Sequence, residues 1–236
     1  MTFTIVAASP ETGEFGVGIA TYSLGVGGYC PFFARGKGAI STQAFANPRL
    51  GPIAVDALGA GSTVDGALEM LAGADPDFDY RQVCIVGANG QVAMHTGPST
   101  RAWAGHRVGE SYAVFGNVLA GAATVDAMQA AYESGGALPF AERLLAAIEA
   151  GRDGGGQADA SGARLPERSA ALIVRGEDIA HDIDLRVDVH GDAVTELRRV
   201  YARYLPYRDY YALRADDPAN TPAQDVFARD HNLPPD

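Results

Sequence analysis

Two hydrophobic periods alternate along this chain, and their order restricts the fold more than any single motif does. Residues 3–8 ("FTIVAA") and 15–21 ("FGVGIAT") are short β-rich runs around "SPETGE", where Pro10, Thr12 and Gly13 are turn residues, so the stretch predicts a hairpin. "GAISTQA" (38–44) predicts a third strand. Helical spacing then takes over between 47 and 76: Ile53, Ala54, Ala57 and Leu58 share one face, and Val64, Ala67, Leu68 and Leu71 another. Pro52 can open the first of these helices, and Ser62 or Thr63 can cap the second. Strands return at 80–97, where Asn89-Gly90 between apolar runs is a hairpin signal because a type I′ turn needs positive φ at both central residues.

Two more short strands are expected within 99–120, helices at about 123–134 and 139–151, strands at 168–175 and 182–190, and a helix from about 192 to 205. The Gly-rich stretch 151–167 reads as a flexible loop, and the end of the chain as a polar tail with several prolines. Hairpin-linked strands give antiparallel sheets, and the helices come in pairs. Two sheets face to face with helix pairs outside would bury every apolar face. The expectation is therefore an α+β protein, a four-layer αββα sandwich, with one domain over 1–206. Residues 207–236 are expected to pack on that domain or on a dimer partner.

With 29 Asp and Glu against 18 Lys and Arg, the net charge is −11, which argues against nucleic acid or an anionic membrane surface as partner. No run reaches the roughly 18–20 apolar residues of a membrane span, and the N-terminus lacks the layout of a signal peptide, so a cytoplasmic location is expected. Cys30 and Cys84 form no CxxC and imply no disulfide framework; Cys84 in "VCIV" reads as a buried, inert thiol. There is no complete GxGxxG opening a helix, no P-loop, no HExxH and no GxSxG, which removes dinucleotide, ATP and α/β-hydrolase readings.

The second residue is where chemistry enters. A hydroxyl is a weak nucleophile until a base takes its proton, and an N-terminal threonine carries its own base, the α-amine. Thr2 becomes such a residue if Met1 is removed, and threonine is small enough for that removal. Many chains also begin Met-Thr without consequence.

The stretches "MTFTIVAASPETGEFGVGIAT", "ISTQAFANPRLG", "RQVCIVGANGQVAMHTG", "WAGHRVGESYAVFGNVL" and "IDLRVDVHGDAVTELRRV" resemble the DUF1028 family, in order and over about residues 2–200. The resemblance implies the αββα sandwich of the N-terminal nucleophile (Ntn) hydrolases, most of which cleave amide bonds with an N-terminal Thr, Ser or Cys on the first strand. It implies Thr2 as the nucleophile and leaves the substrate unassigned. Such relatives usually assemble, which together with the Tyr- and Arg-rich segment 201–214 points to a homodimer; the same segment could instead fold back over its own domain.

Amide hydrolysis also needs donors for the oxyanion. Asn117 in "FGNVL" is the candidate, its other reading being a turn residue that bonds its own backbone. Gln43 and Asn47 in "TQAFANP" are candidates for the same cleft, Asn47 being equally a turn starter before Pro48. Arg81, on the opposite strand face from Gln82 and Cys84, could clamp a carboxylate or pair with an acidic neighbour. His95 and His106 are substrate-binding candidates, or histidines with structural partners.

In "HDIDLRVDVH" the period of 2 puts Ile183, Leu185, Val187 and Val189 on one face. Asp182, Asp184, Arg186, Asp188 and His190 share the other, where Asp184, Asp188 and His190 offer metal-ligand chemistry and Arg186 in their midst opposes a cation. The expected function is thus an amidohydrolase acting on a small amide through Thr2 and Asn117 without cofactor or metal, and the alternative is a small-ligand-binding protein on the same fold.

Overall fold

The computed structural model describes residues 1–234. In chain order its strands and helices are β1 (Thr2–Ser9), β2 (Glu14–Thr21), β3 (Pro31–Ala34), β4 (Gly38–Gln43), α1 (Leu50–Gly59), α2 (Val64–Ala74), β5 (Gln82–Gly87), β6 (Val92–Thr96), β7 (Gly105–Gly109) and β8 (Tyr112–Asn117). There follow α3 (Ala122–Ser134), α4 (Phe140–Asp153), β9 (Gln157–Ala158), β10 (Arg164–Leu165), β11 (Ser169–Arg175), β12 (Ile183–Val187), α5 (Ala193–Tyr204), α6 (Arg208–Asp216) and α7 (Gln224–Asp230).

One antiparallel sheet has the order β12-β11-β2-β1-β8-β7 and a second the order β3-β4-β5-β6. Alternation sorts the side chains of each strand between two cores. In β1, Phe3, Ile5 and Ala7 join α3, α4 and α5 in the outer core, while Val6 and Ala8 face the second sheet. In β5, Val83 and Ile85 pack on α1 and α2, while Cys84 and Val86 face back toward the first sheet. The result is the four-layer α+β sandwich, helices on both outer faces and an apolar layer between the sheets.

The glycines of "FGVGIA" serve this packing. A Cβ on Gly18 would come within 2.9 Å of Ile148 Cγ1 and 3.2 Å of the Leu144 carbonyl oxygen, so β2 is bare where α4 presses on it.

Three expectations change. The stretch 151–167 is not a bare loop: β9 pairs with β10, and Gln157 and Glu167 are buried. Gln157 Oε1 accepts from the Tyr22 N–H at 3.0 Å, a long-range bond that composition cannot reveal. Strand β12 ends at Val187, so Val189 leaves the apolar face and is 71% exposed. From 207 to 234 the tail carries the helices α6 and α7. Segment 201–214 packs back on its own domain: Tyr201 and Tyr210 are buried, the Tyr204 hydroxyl donates to the Asp182 carbonyl at 3.2 Å, and Tyr210 stacks on Phe227 at 4.3 Å.

Among the described residues no helix is long and apolar enough to cross a membrane. The seating of α4 on β2 has a direct test. Gly18→Ala is expected to cost about 1–3 kcal/mol of unfolding free energy by overpacking, and a urea titration matching wild type would show that α4 has room to move.

Candidate active site

The layer between the sheets is apolar along most of its length and polar at one end. Alternation sends Thr2 and Thr4 from β1, Thr21 from β2, Gln43 from β4, Gln82 from β5 and Asn117 from β8 into the same end, and all six are buried. Most buried polar groups in proteins are hydrogen-bonded, and these six form a network. Gln82 is its centre. Its Oε1 accepts from Gln43 Nε2 at 2.8 Å and from Asn117 Nδ2 at 3.2 Å. Its Nε2 donates to the Gly116 carbonyl at 2.9 Å and to Thr96 Oγ1 at 3.0 Å. Thr4 Oγ1 donates to Gln43 Oε1 at 2.6 Å.

A cavity of about 250 Å³ opens beside this network, lined by Met1, Thr2, Gln43, Asn117, Arg101 and Phe45 among others. Thr2 lies directly across the β1–β8 ladder from Asn117. The residue-1 amine donates to Asn117 Oδ1 at 2.6 Å. Burial, with Arg101 adding to it, lowers that amine to about 6. Thr21 Oγ1 donates to the Met1 carbonyl, so its lone pairs are left for Thr2 Oγ1 at 3.1 Å and for the Ser23 N–H at 3.2 Å. Cys30 also lines the cavity, but burial pushes its thiol up to about 12, which removes it as a thiolate nucleophile.

The walls carry backbone strain. Of the non-glycine residues with positive φ among those described, Ala44 (57°), Phe45 (50°) and Val118 (55°) all line this cavity. A β-branched residue such as Val118 is rare in that region, and such conformations collect at functional sites because surrounding structure must hold them.

The sequence candidates divide into two groups. Thr2, Gln43 and Asn117 converge at the cavity. His106 Nδ1 lies 3.0 Å from Thr96 Oγ1, one bond beyond Gln82, and so reaches the network from behind. Asn47 and Arg81 meet elsewhere, at Asp75: Asn47 Nδ2 and Arg81 Nε each lie 2.9 Å from Asp75 Oδ2. That clamp holds the buried Asp75 carboxyl down at about 2, and neither residue lines the cavity. His95 stacks on Phe78 at 4.2 Å and its Nε2–H donates to the Phe78 carbonyl at 3.1 Å. Asp184 is bonded by Arg175 and by Arg186, the latter at 2.6 Å. Among the described residues no three His, Cys, Asp or Glu side chains gather in metal-binding geometry.

Gln82 and Arg101 are the residues that reading the sequence missed. For Gln82 a signal existed: it is in phase with Cys84 and Val86, so an amide was being sent into the inter-sheet layer. Arg101 sits in an irregular segment and carried no such signal.

The chain matches the DUF1028 family, described as a family of unknown function, over residues 2–197. It belongs to that family. Among solved structures it is similar to the crystal structure of a DUF1028 protein from Silicibacter pomeroyi, at 29% identity and a TM-score of 0.77, covering 86% of this chain and 85% of that one. No curated protein matches.

Two outcomes follow for this DUF1028 chain. Gln82→Leu leaves Gln43, Asn117 and Thr96 short of a buried partner, and is expected to cost about 1–3 kcal/mol, read by chemical denaturation; an unchanged midpoint would remove Gln82 as the hub. His106 is pulled below its ordinary pKa by burial first, then by Arg107 and His95. The unfolded chain then binds the extra proton, so stability falls as pH drops from about 6.5 through the folded value. Melting curves of His106→Asn should lose that part of the acid slope, and an identical pH profile would contradict the assignment.

Proposed function

We propose that this DUF1028 protein is an Ntn-type amidohydrolase acting on a small amide, with Thr2 as its nucleophile once the Met1–Thr2 bond has been cut. The observation that carries this reading is placement. Thr2 opens the central strand β1, its side chain turns toward the second sheet, and it shares the cavity wall with Asn117 from the neighbouring strand. The four-layer sandwich adds the analogy with Ntn hydrolases, which by itself is a fold-level argument.

The chemistry needs a base, an attacking oxygen and an oxyanion site. Cutting after Met1 frees the Thr2 α-amine, whose unperturbed pKa is about 7.7–8.0. The residue-1 amine is already lowered to about 6 here by burial, so an amine in this environment is largely neutral at pH 7 and fit to accept a proton. It takes the proton of Thr2 Oγ1, which adds to the substrate carbonyl. Asn117 Nδ2 spends one N–H on Gln82 and keeps the second for the oxyanion. Backbone N–H groups of the left-handed pair Ala44 and Phe45, on the same wall, are the further donors. The protonated amine then gives its proton to the leaving nitrogen, and water hydrolyses the Thr2 ester.

A second reading, ligand binding without turnover, is favoured by a different observation. Among the described residues no His, Asp or Glu lines the cavity, and with Met1 attached the Thr2 hydroxyl hydrogen-bonds only to Thr21. Nothing then activates it. Intact mass of the purified protein and turnover of an N-acyl amide panel separate the two. The hydrolase reading expects a chain lacking Met1, a loss of about a thousandfold or more in kcat/KM for Thr2→Ala, and retained activity for Thr2→Ser. Full retention of Met1 with ligands recovered intact would leave binding as the function.

A further inference from the structure

The cavity beside Thr2 has the opposite charge character to the chain around it. Acidic residues outnumber basic ones 29 to 18, yet among the described residues the lining holds Arg101 and no carboxylate side chain. Tyr29 and Cys30, lining groups able to become anions, are both pushed by burial toward their neutral forms. Arg101 also differs from many of the other arginines. Arg81 is bonded to Asp75, Arg107 to Asp126, Arg164 to Glu167 and Arg198 to Glu142. The Arg101 guanidinium has no ion pair or hydrogen bond among the described residues.

Its position is nonetheless fixed. The Val118 N–H donates to the Arg101 carbonyl at 3.1 Å, and the Leu119 N–H to the Trp103 carbonyl at 3.0 Å. The segment is thereby tied to the residues that follow Asn117 at the end of β8, with Arg101 exposed at the mouth. An unpaired guanidinium there offers a planar fork suited to a carboxylate. With Met1 still in its wall the cavity measures about 250 Å³, near the lower end of the ~300–1,000 Å³ usual for drug-sized ligands, which suits a small ligand.

We propose that the cavity takes small amides that carry a carboxylate, the N-acyl amino acid class, with Arg101 holding the carboxylate and the scissile carbonyl against Thr2. The substrate class rests on the hydrolase reading above; the anion site does not. In the reaction the acyl carbon–nitrogen bond breaks as the bond to Thr2 Oγ1 forms, and the amino acid leaves with the proton shuttled by the Thr2 amine. Water then releases the acyl group as a carboxylic acid and restores the hydroxyl.

The test uses Thr2→Ala full-length protein, which cannot turn over, titrated calorimetrically with N-acetyl amino acids and with their uncharged N-methylamides. The acids are expected to bind in the millimolar range or tighter and at least tenfold better than the amides. Adding Arg101→Gln should erase that preference, and Arg101→Lys should keep part of it; a melting curve checks that each variant folds. Equal binding of acids and amides, a preference that survives Arg101→Gln, or no saturable binding of any acid would each overturn the anion site. Turnover by the wild-type chain is read separately. Acids that bind through Arg101 and are never cut would leave the anion site standing and remove Thr2 hydrolysis.

Discussion

The bond set around Gln82 is the constraint on which the rest of the arrangement depends. It is a neutral amide in a water-excluded layer, carried on one sheet and satisfied largely by the other: its Nε2 reaches the Gly116 carbonyl and its Oε1 the Asn117 amide, both on β8. Leaving any of these groups unpaired would cost the desolvation of that group, ~1–3 kcal/mol. The two sheets are therefore held in one relative position at this end. That holds Gln43 against Thr4 across the layer, while the β1–β8 ladder itself sets Asn117 opposite Thr2.

Elsewhere between the sheets Val6, Val17, Ile19, Val86 and Phe115 fill the layer. Apolar packing is non-directional, and it would tolerate small slips of one sheet over the other. A hydrogen-bonded end removes that freedom. It also accounts for the strained turns at Ala44, Phe45 and Val118, which directly follow β4 and β8. Each chain segment must leave the ladder sharply there, and together they open the cavity.

Much of the layering was legible in sequence. The hairpins, both helix pairs and the inward phase of β5 followed from periods of 2 and 3.6, because burial of one face imposes those periods on any soluble chain. Of the candidate site, Thr2 was picked out by its place after Met1, Asn117 as an amide donor at the end of a strand and Gln43 as a second amide expected in the same cleft, and all three line the cavity. Arg81 and Asn47 show the opposite case. Their types suit a substrate clamp, yet both are drawn to Asp75, which stands six residues before Arg81 and 28 after Asn47. The stretch 151–167 shows how composition misleads: glycines that read as slack allow a tight passage, and Gln157 locks it by bonding Tyr22.

By itself the sequence determined the layers, the membership of each strand face and the chemistry available at Thr2, because these depend on local periodicity and residue type. Only the tertiary structure decided which polar residues share the cavity, and that Arg101 stands unpaired at its mouth while Arg81 does not. The physical reason is that hydrogen bonds and ion pairs are satisfied in space. A side chain's role is set by whichever partner the packed sheets bring within about 3 Å, and separation along the chain carries no record of that choice.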